Sequence, residues 1–418
     1  MGHLRGADRH PLPAREHDGL RKDPALANIE QAAEAHEEGH AEAAAEQAVT
    51  PLELFFDLVF VFAITQVTQF IADDPTWEGL ARGLLILAAV WWAWVGYSWL
   101  TNWLDTEEDL TRLGIFVAMA AMFVVSLSIP TAFNENGLLF ALAYAVVRVL
   151  HILLYGYAAN DADVQEAVRR FAPPVTVAVS LLVLASFFDG AVQGAIWAVA
   201  IALDFSAGLV GRGQKWKLHP GHFAERHGLI VIIAFGESIV ATGLGAQGTD
   251  LTTAVVIAAL LSIVLAAALW WAYFDVVAIV AERRLRQAGR VEQALMARDS
   301  YSYIHLLMIA GIVLVALGAK KTIADVDEPL KVVPAAALCG GAALYLVGHI
   351  LFRLRNVRTF NRHRAVAAVL ALACIPLAVE IDALATMALM AALTAGLIIF
   401  EVVRFREARG RLRAAMHG

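Results

Sequence analysis

From Thr50 to about residue 403 the chain alternates between long apolar stretches and short polar breaks. Twelve stretches can be drawn, at 51–71, 80–101, 112–132, 137–158, 171–188, 191–211, 227–246, 251–274, 302–319, 332–352, 365–380 and 383–403. A helix rising 1.5 Å per residue needs about 20 apolar residues to cross a bilayer core, and most of these approach that length. The fifth and eleventh are short and carry proline (Pro173-Pro174 and Pro376), which sets the count only to within one or two. The pattern predicts an all-α, polytopic transmembrane helix bundle of about 12 spans.

Composition agrees. The chain has 418 residues, 59% hydrophobic and 17% charged, with mean hydropathy +0.64; an average soluble domain is about 25% charged. The net charge of −7 adds little, because much of the acid sits in the N-terminal segment. Cys339 and Cys374 both fall in predicted spans and read as small packing residues, with no disulfide, metal site or other cofactor implied. Residues 1–48 are rich in Ala, Glu, His and Arg and lack the apolar run of a signal peptide. They are expected to form a disordered cytoplasmic tail. The string His36-Glu37-Glu38-Gly39-His40 matches a zinc-protease motif in letters only, since its polar surroundings offer no buried helix or third ligand.

Positive charge assigns a direction to the spans. With twelve spans and the N-terminus inside, the inner loops take Arg112, Arg169, Arg170, Arg212, Lys215, Lys217, Arg226, Arg283, Arg284, Arg286, Arg290, Arg298, Arg353, Arg355, Arg358, Arg362 and Arg364. The outer loops take only Lys320, Lys321 and Lys331, with Arg82 at a span edge. Both termini are therefore expected in the cytoplasm, with residues 406–418 forming a basic tail. An internal echo divides the rest into six-span halves, 49–211 and 212–405. Glu53 is matched by Glu225, Trp91-Trp92-Ala93-Trp94 by Trp270-Trp271-Ala272-Tyr273, and Tyr144 by Tyr345, at offsets of 172, 179 and 201 residues. Six spans per half would make two repeats of the same orientation, with a site between them near the midplane. Chance recurrence in aromatic-rich spans is the competing explanation.

Ionisable residues at membrane depth carry the candidate chemistry, because each costs about 2.5–3.5 kcal/mol to insert. Glu53 and Asp57 lie four residues apart on one face of the first span. Arg148 and His151 share a face of the fourth, Asp204 is deep in the sixth, Glu237 and Ser238 lie in the seventh, and His349 lies near the inner end of the tenth. Arg148 and Glu237, both near mid-depth, are the expected ion pair. Such a pair either fixes helix packing or serves as a coupling centre. Gly228, Gly236, Gly243, Gly245 and Gly248 fit either close packing or an unwound stretch lining a site. His219, His222 and His227 form a weak metal-site pattern that no carboxylate or cysteine completes. The basic loops are read as topology and contact with anionic lipid, with no nucleic-acid partner.

Two stretches resemble a known family. Thr50-Pro51-Leu-Glu53-Leu-Phe-Phe-Asp57-Leu-Val-Phe-Val and Glu225-Arg226-His227-Gly228-Leu-Ile-Val-Ile-Ile-Ala-Phe-Gly236-Glu237-Ser238-Ile239 are similar to the hallmark stretches of the bacterial low-temperature-requirement A (LtrA) family. His227 departs from the aromatic usual there. The resemblance covers about residues 50–405 and implies a bacterial multi-pass inner-membrane protein, linked by name to growth in the cold. It supplies no substrate or reaction.

The expected function is a secondary transporter or permease for a small solute or ion, with Glu53, Asp57, Arg148, Asp204 and Glu237 forming a polar interior. A membrane-embedded enzyme acting on lipid, with Asp57 and Glu237 as acid and base, and a non-catalytic membrane sensor or scaffold remain open. No P-loop, dinucleotide fingerprint or nucleophile elbow occurs in the sequence. The balance is against an enzyme.

Overall fold

A computed structural model describes residues 49–104, 106, 108–158, 162–209 and 218–407. The tail 1–48, with its His36–His40 string, and all but the start of 406–418 lie outside the described residues. The rest is helical in sequence order: α1 (Pro51–Asp73), α2 (Trp77–Thr101), α3 (Asp109–Ser128), α4 (Gly137–Ala158), α5 (Ala162–Ala185) and α6 (Gly190–Ala207). There follow α7 (Pro220–Gly245), α8 (Thr253–Phe274, resumed as Val277–Gln287), α9 (Arg290–Ala324), α10 (Val332–Val357), α11 (Arg362–Ala373, resumed as Ile375–Ala378) and α12 (Ala383–Arg404).

The starts follow from local chemistry. Thr50 caps α1: its hydroxyl accepts from the Glu53 N–H at 3.3 Å, and the Glu53 carboxylate accepts from the Thr50 N–H at 2.9 Å. This reciprocal capping box satisfies two otherwise orphaned donors. Thr76, Thr252 and Asn361 cap α2, α8 and α11 in the simpler way. Pro220 opens α7 at its first turn, where the missing N–H costs nothing.

Among the described residues, eleven helices are long and apolar enough to cross a membrane. The predicted eleventh span, 365–380, is the one left out. It is α11, parted at Cys374 ahead of Pro376, whose ring cannot join the hydrogen-bond ladder. It nevertheless joins opposite ends of the bundle. Arg362 follows directly on α10, whereas the Ala383 and Leu384 N–H groups donate to Glu328 and Val326 in the loop beyond the far end of α9, at 3.0 and 3.1 Å.

Burial is inverted relative to a soluble protein. Leu113, Val149, Leu153, Val369 and Val403 face outward, while Glu53, Asp57, Arg148, Asp204, Arg226, Glu237, Arg364 and Glu401 are buried. That is the arrangement a bilayer demands of a polytopic membrane protein. The most enclosed helix is α9, packed on α7 and α10. Its seam with α10 depends on glycine: a Cβ at Gly311 would lie 2.7 Å from the Gly341 carbonyl, and one at Gly341 would lie 2.7 Å from the Leu314 Cβ. Two stretches of α9 and α10, Ala297–Ile304 and Ala336–Gly340, are π-helical.

Within each half the same partners meet. α1 packs on α2 and α3, α3 on α4, α4 on α5, α5 on α6, and α2 on α6. In the second half, α7 packs on α8 and α9, α9 on α10, α10 on α11, α11 on α12, and α8 on α12. The halves meet through α1 against α7 and α9. Two expectations need correction here. α7 is an unbroken helix, and Gly236 has open space where a Cβ would sit, so that glycine neither unwinds the helix nor packs it closely. Glu225, the expected counterpart of Glu53, is exposed.

Candidate functional site

Among the described residues, the buried ion pairs fall into three networks. The first joins the halves, where α1 meets α7. Arg226 donates through Nη2 to Asp57 Oδ1 at 2.5 Å and through Nη1 to Glu53 Oε1 at 3.2 Å and to the Thr101 hydroxyl at 2.7 Å. His222 Nε2 lies 2.9 Å from Glu53 Oε2, and its Nδ1 lies 3.0 Å from the Asn102 amide. Trp94 donates its indole N–H to Asp57 Oδ1 at 2.8 Å, and its ring lies under the Arg226 guanidinium at 5.6 Å. Glu53 and Asp57 are each 1% exposed and Arg226 is 0% exposed. Asp57 Oδ2 and Arg226 Nε have no hydrogen-bond partner.

Sequence placed Glu53 and Asp57 correctly on one buried face and missed their partners. Arg226 was assigned to an inner loop. The missed signal is Pro220, which as a first-turn residue starts α7 seven residues before the predicted 227 and carries His222 and Arg226 into the bundle. The three histidines do not converge: His222 turns to Glu53, and His227 bonds the Phe223 carbonyl. Partial burial, and secondarily His222, lower the pKa of His219 at the helix mouth.

The second network lies within the first half. Arg148 on α4 donates through Nη2 to Asp204 Oδ1 on α6 at 2.5 Å, and the Tyr144 hydroxyl donates to Asp204 Oδ2 at 2.8 Å. His151 meets the Gly96 carbonyl at 3.0 Å. The expected Arg148–Glu237 pair is therefore wrong. Glu237 faces α1, where the Thr65 hydroxyl donates to it, and Ser238 bonds within its own helix to the Ala234 carbonyl. Arg148 borders a cavity of about 140 Å³ walled by Trp92, Trp99, His151, Phe171, Arg298 and others.

The third network lies within the second half. Arg364 on α11 forks onto Glu401 of α12, Nε to Oε1 at 3.0 Å and Nη2 to Oε2 at 2.9 Å, while Nη1 meets His349 Nδ1 on α10 at 2.9 Å. Asn361 adds a bond to Glu401 Oε1 at 3.1 Å. Sequence places Arg364 in an inner loop and gives His349 as a candidate, whereas the structure buries both against Glu401 or its guanidinium partner. This network also borders a cavity, of about 260 Å³.

The two stretches Thr50–Val61 and Glu225–Ile239 thus meet across the α1–α7 interface. The family described as "Bacterial low temperature requirement A protein (LtrA)" matches residues 48–399. The chain belongs to the LtrA family. A relative from Rhizobium meliloti (strain 1021), "Uncharacterized protein RA0937", is 30% identical over 314 residues, covering 71% of this chain and 75% of the relative. No solved structure matches the chain. Family membership and the apolar helices make this LtrA protein an integral membrane protein.

Proposed function

We propose that this LtrA protein is a secondary transporter or permease of the bacterial inner membrane, built from two parallel six-helix halves with both termini in the cytoplasm. The observation that carries the reading is the ionic network at the junction of the halves. Two carboxylates, Glu53 and Asp57, share one guanidinium on the opposite half, Arg226. Two carboxylates facing one guanidinium leave the site one charge short of neutral, which a proton or cation entering from solution would supply. A proton that comes and goes at a junction between halves is what couples solute movement to a proton gradient, since it changes how tightly the halves hold together. Lopsided positive charge at one end of the bundle supports the orientation.

The test is sided accessibility in proteoliposomes. With Cys339 and Cys374 replaced, a single cysteine at Val95, on the cavity wall, should react with an impermeant maleimide from one face at one pH and from the other face after a pH step. Glu53→Gln should remove the switch. Labelling from one face alone under every pH and solute tried would refute alternating access.

A further inference from the structure

The cavity beside Arg148 has the makings of a ligand site. Arg148 is 2% exposed and lines the cavity, yet only its Nη2 is engaged; Nε and Nη1 have no hydrogen-bond partner. Buried donors are nearly always satisfied, so the unengaged Nη1 calls for an acceptor. The opening is kept clear by Gly96, where a Cβ would stand 2.9 Å from Arg148 Nη1 and 3.0 Å from His151 Nε2. His151 Nε2 donates to the Gly96 carbonyl, which leaves its unpartnered Nδ1 as the acceptor of the ring. Around Arg148 the walls are aromatic: Trp92, Trp99, Tyr155 and Phe171. Towards the bundle end the lining adds Arg170 and Arg298, which pair with Glu166 and Asp299. The π-helical stretch Ala297–Ile304 helps shape the cavity, since Ser302 accepts from the Trp91 and Trp99 indoles at 2.8 and 2.9 Å. Such stretches recur at functional sites.

We infer that this cavity binds a small organic carboxylate with a flat apolar body, one carboxylate oxygen on Arg148 Nη1 and its body between the aromatic walls. A carboxylate oxygen accepting from the unsatisfied Nη1 makes a charge-assisted bond that a neutral ligand cannot match. The inference rests on the permease reading only in calling the occupant a substrate.

Calorimetry on the purified full chain in nanodiscs tests it, with benzoate as the probe and benzamide as its neutral counterpart. Benzoate should bind saturably, and benzamide about tenfold or more weakly, since one charge-assisted contact is worth at least that. Arg148→Lys keeps a cation for Asp204 but has no second nitrogen to hold the probe, and should weaken benzoate about tenfold or more. Ala294→Trp, at the half-exposed mouth, should block entry while leaving the buried pair untouched. Equal binding of benzoate and benzamide, unchanged binding to both variants, or inorganic phosphate binding more tightly than benzoate would overturn the assignment. Binding needs no transport. Binding without flux therefore sinks the permease and spares the site, whereas solute flux indifferent to Arg148→Lys sinks the site alone.

Discussion

Removing Arg226 is the most severe single perturbation the structure offers. Arg226→Leu deletes the hydrogen bonds to Glu53, Asp57 and Thr101 and leaves two carboxylates in a site with almost no solvent contact. Breaking one buried pair by removing a partner costs about 3–5 kcal/mol. Here Glu53 keeps His222 and the Thr50 N–H, and Asp57 keeps only the Trp94 indole. Most of the penalty should therefore fall on Asp57, and the total should reach at least the lower end of that range. A typical fold is stable by only about 5–15 kcal/mol, so the loss is large. Adding Asp57→Leu removes the stranded charge and should restore about half of it, whereas Asp57→Leu alone leaves Arg226 with Glu53 and should cost less than Arg226→Leu. Unfolding in mixed detergent micelles, followed by tryptophan fluorescence, gives the four corners of the cycle. A cost below about 1 kcal/mol for Arg226→Leu, or a coupling below about 0.5 kcal/mol, would show that the pairing contributes little and refute the reasoning.

Three further outcomes are expected. Glu237 has a hydroxyl partner where an arginine was anticipated, so Glu237→Gln should cost less than about 1.5 kcal/mol, while Asp204→Ala, which strands Arg148, should cost about 3–5 kcal/mol by the same assay. Gly311→Val drives a side chain into the Gly341 carbonyl and the Tyr345 backbone, and thermal unfolding in detergent should show a loss of about 1–3 kcal/mol or more. Reporter fusions after Gly137, Asp250 and Asp325 should read periplasmic and those after Gln287 and Arg358 cytoplasmic; a reversal at Arg358 relative to Asp325 would undo the crossing assignments.

Hydropathy made the bundle legible because a lipid-facing helix must be apolar along its whole length, a demand visible in one sequence. At α11 hydropathy draws the stretch 365–380, Pro376 divides the helix into pieces each too short for a span, and the bonds from Ala383 and Leu384 to the α9–α10 loop show that it runs between opposite ends of the bundle. Glu53 and Asp57 were legible as a site because their four-residue spacing fixes a shared face. Arg226 and Arg364 were not, because an arginine near a span end looks the same whether it points to water or into the bundle. The Arg148–Glu237 pairing failed for a different reason. Depth along a span is readable from sequence, but which spans are neighbours is not, and α4 packs on α2, α3 and α5.

The Arg148–Asp204 and Arg364–Glu401 networks occupy matching places in α1–α6 and α7–α12. In each half the acid sits on the last helix, Asp204 on α6 and Glu401 on α12. In each, a tyrosine of the fourth helix donates to a carbonyl of the second, Tyr144 to Ala89 and Tyr345 to Leu269. The cation has moved: where the first half has Arg148 on its fourth helix, the second has His349 there and takes its guanidinium from Arg364 on the fifth. Charge balance is kept although the residues differ, as a low-dielectric interior requires. Saturation is not kept. Arg364 engages all three of its nitrogens with Glu401, His349 and the Ala272 carbonyl, while Arg148 engages Nη2 alone and leaves Nε and Nη1 without a hydrogen-bond partner. The two cavities therefore border unlike guanidiniums, one saturated by its own acid and one with donors to spare, and that difference is what benzoate binding would read.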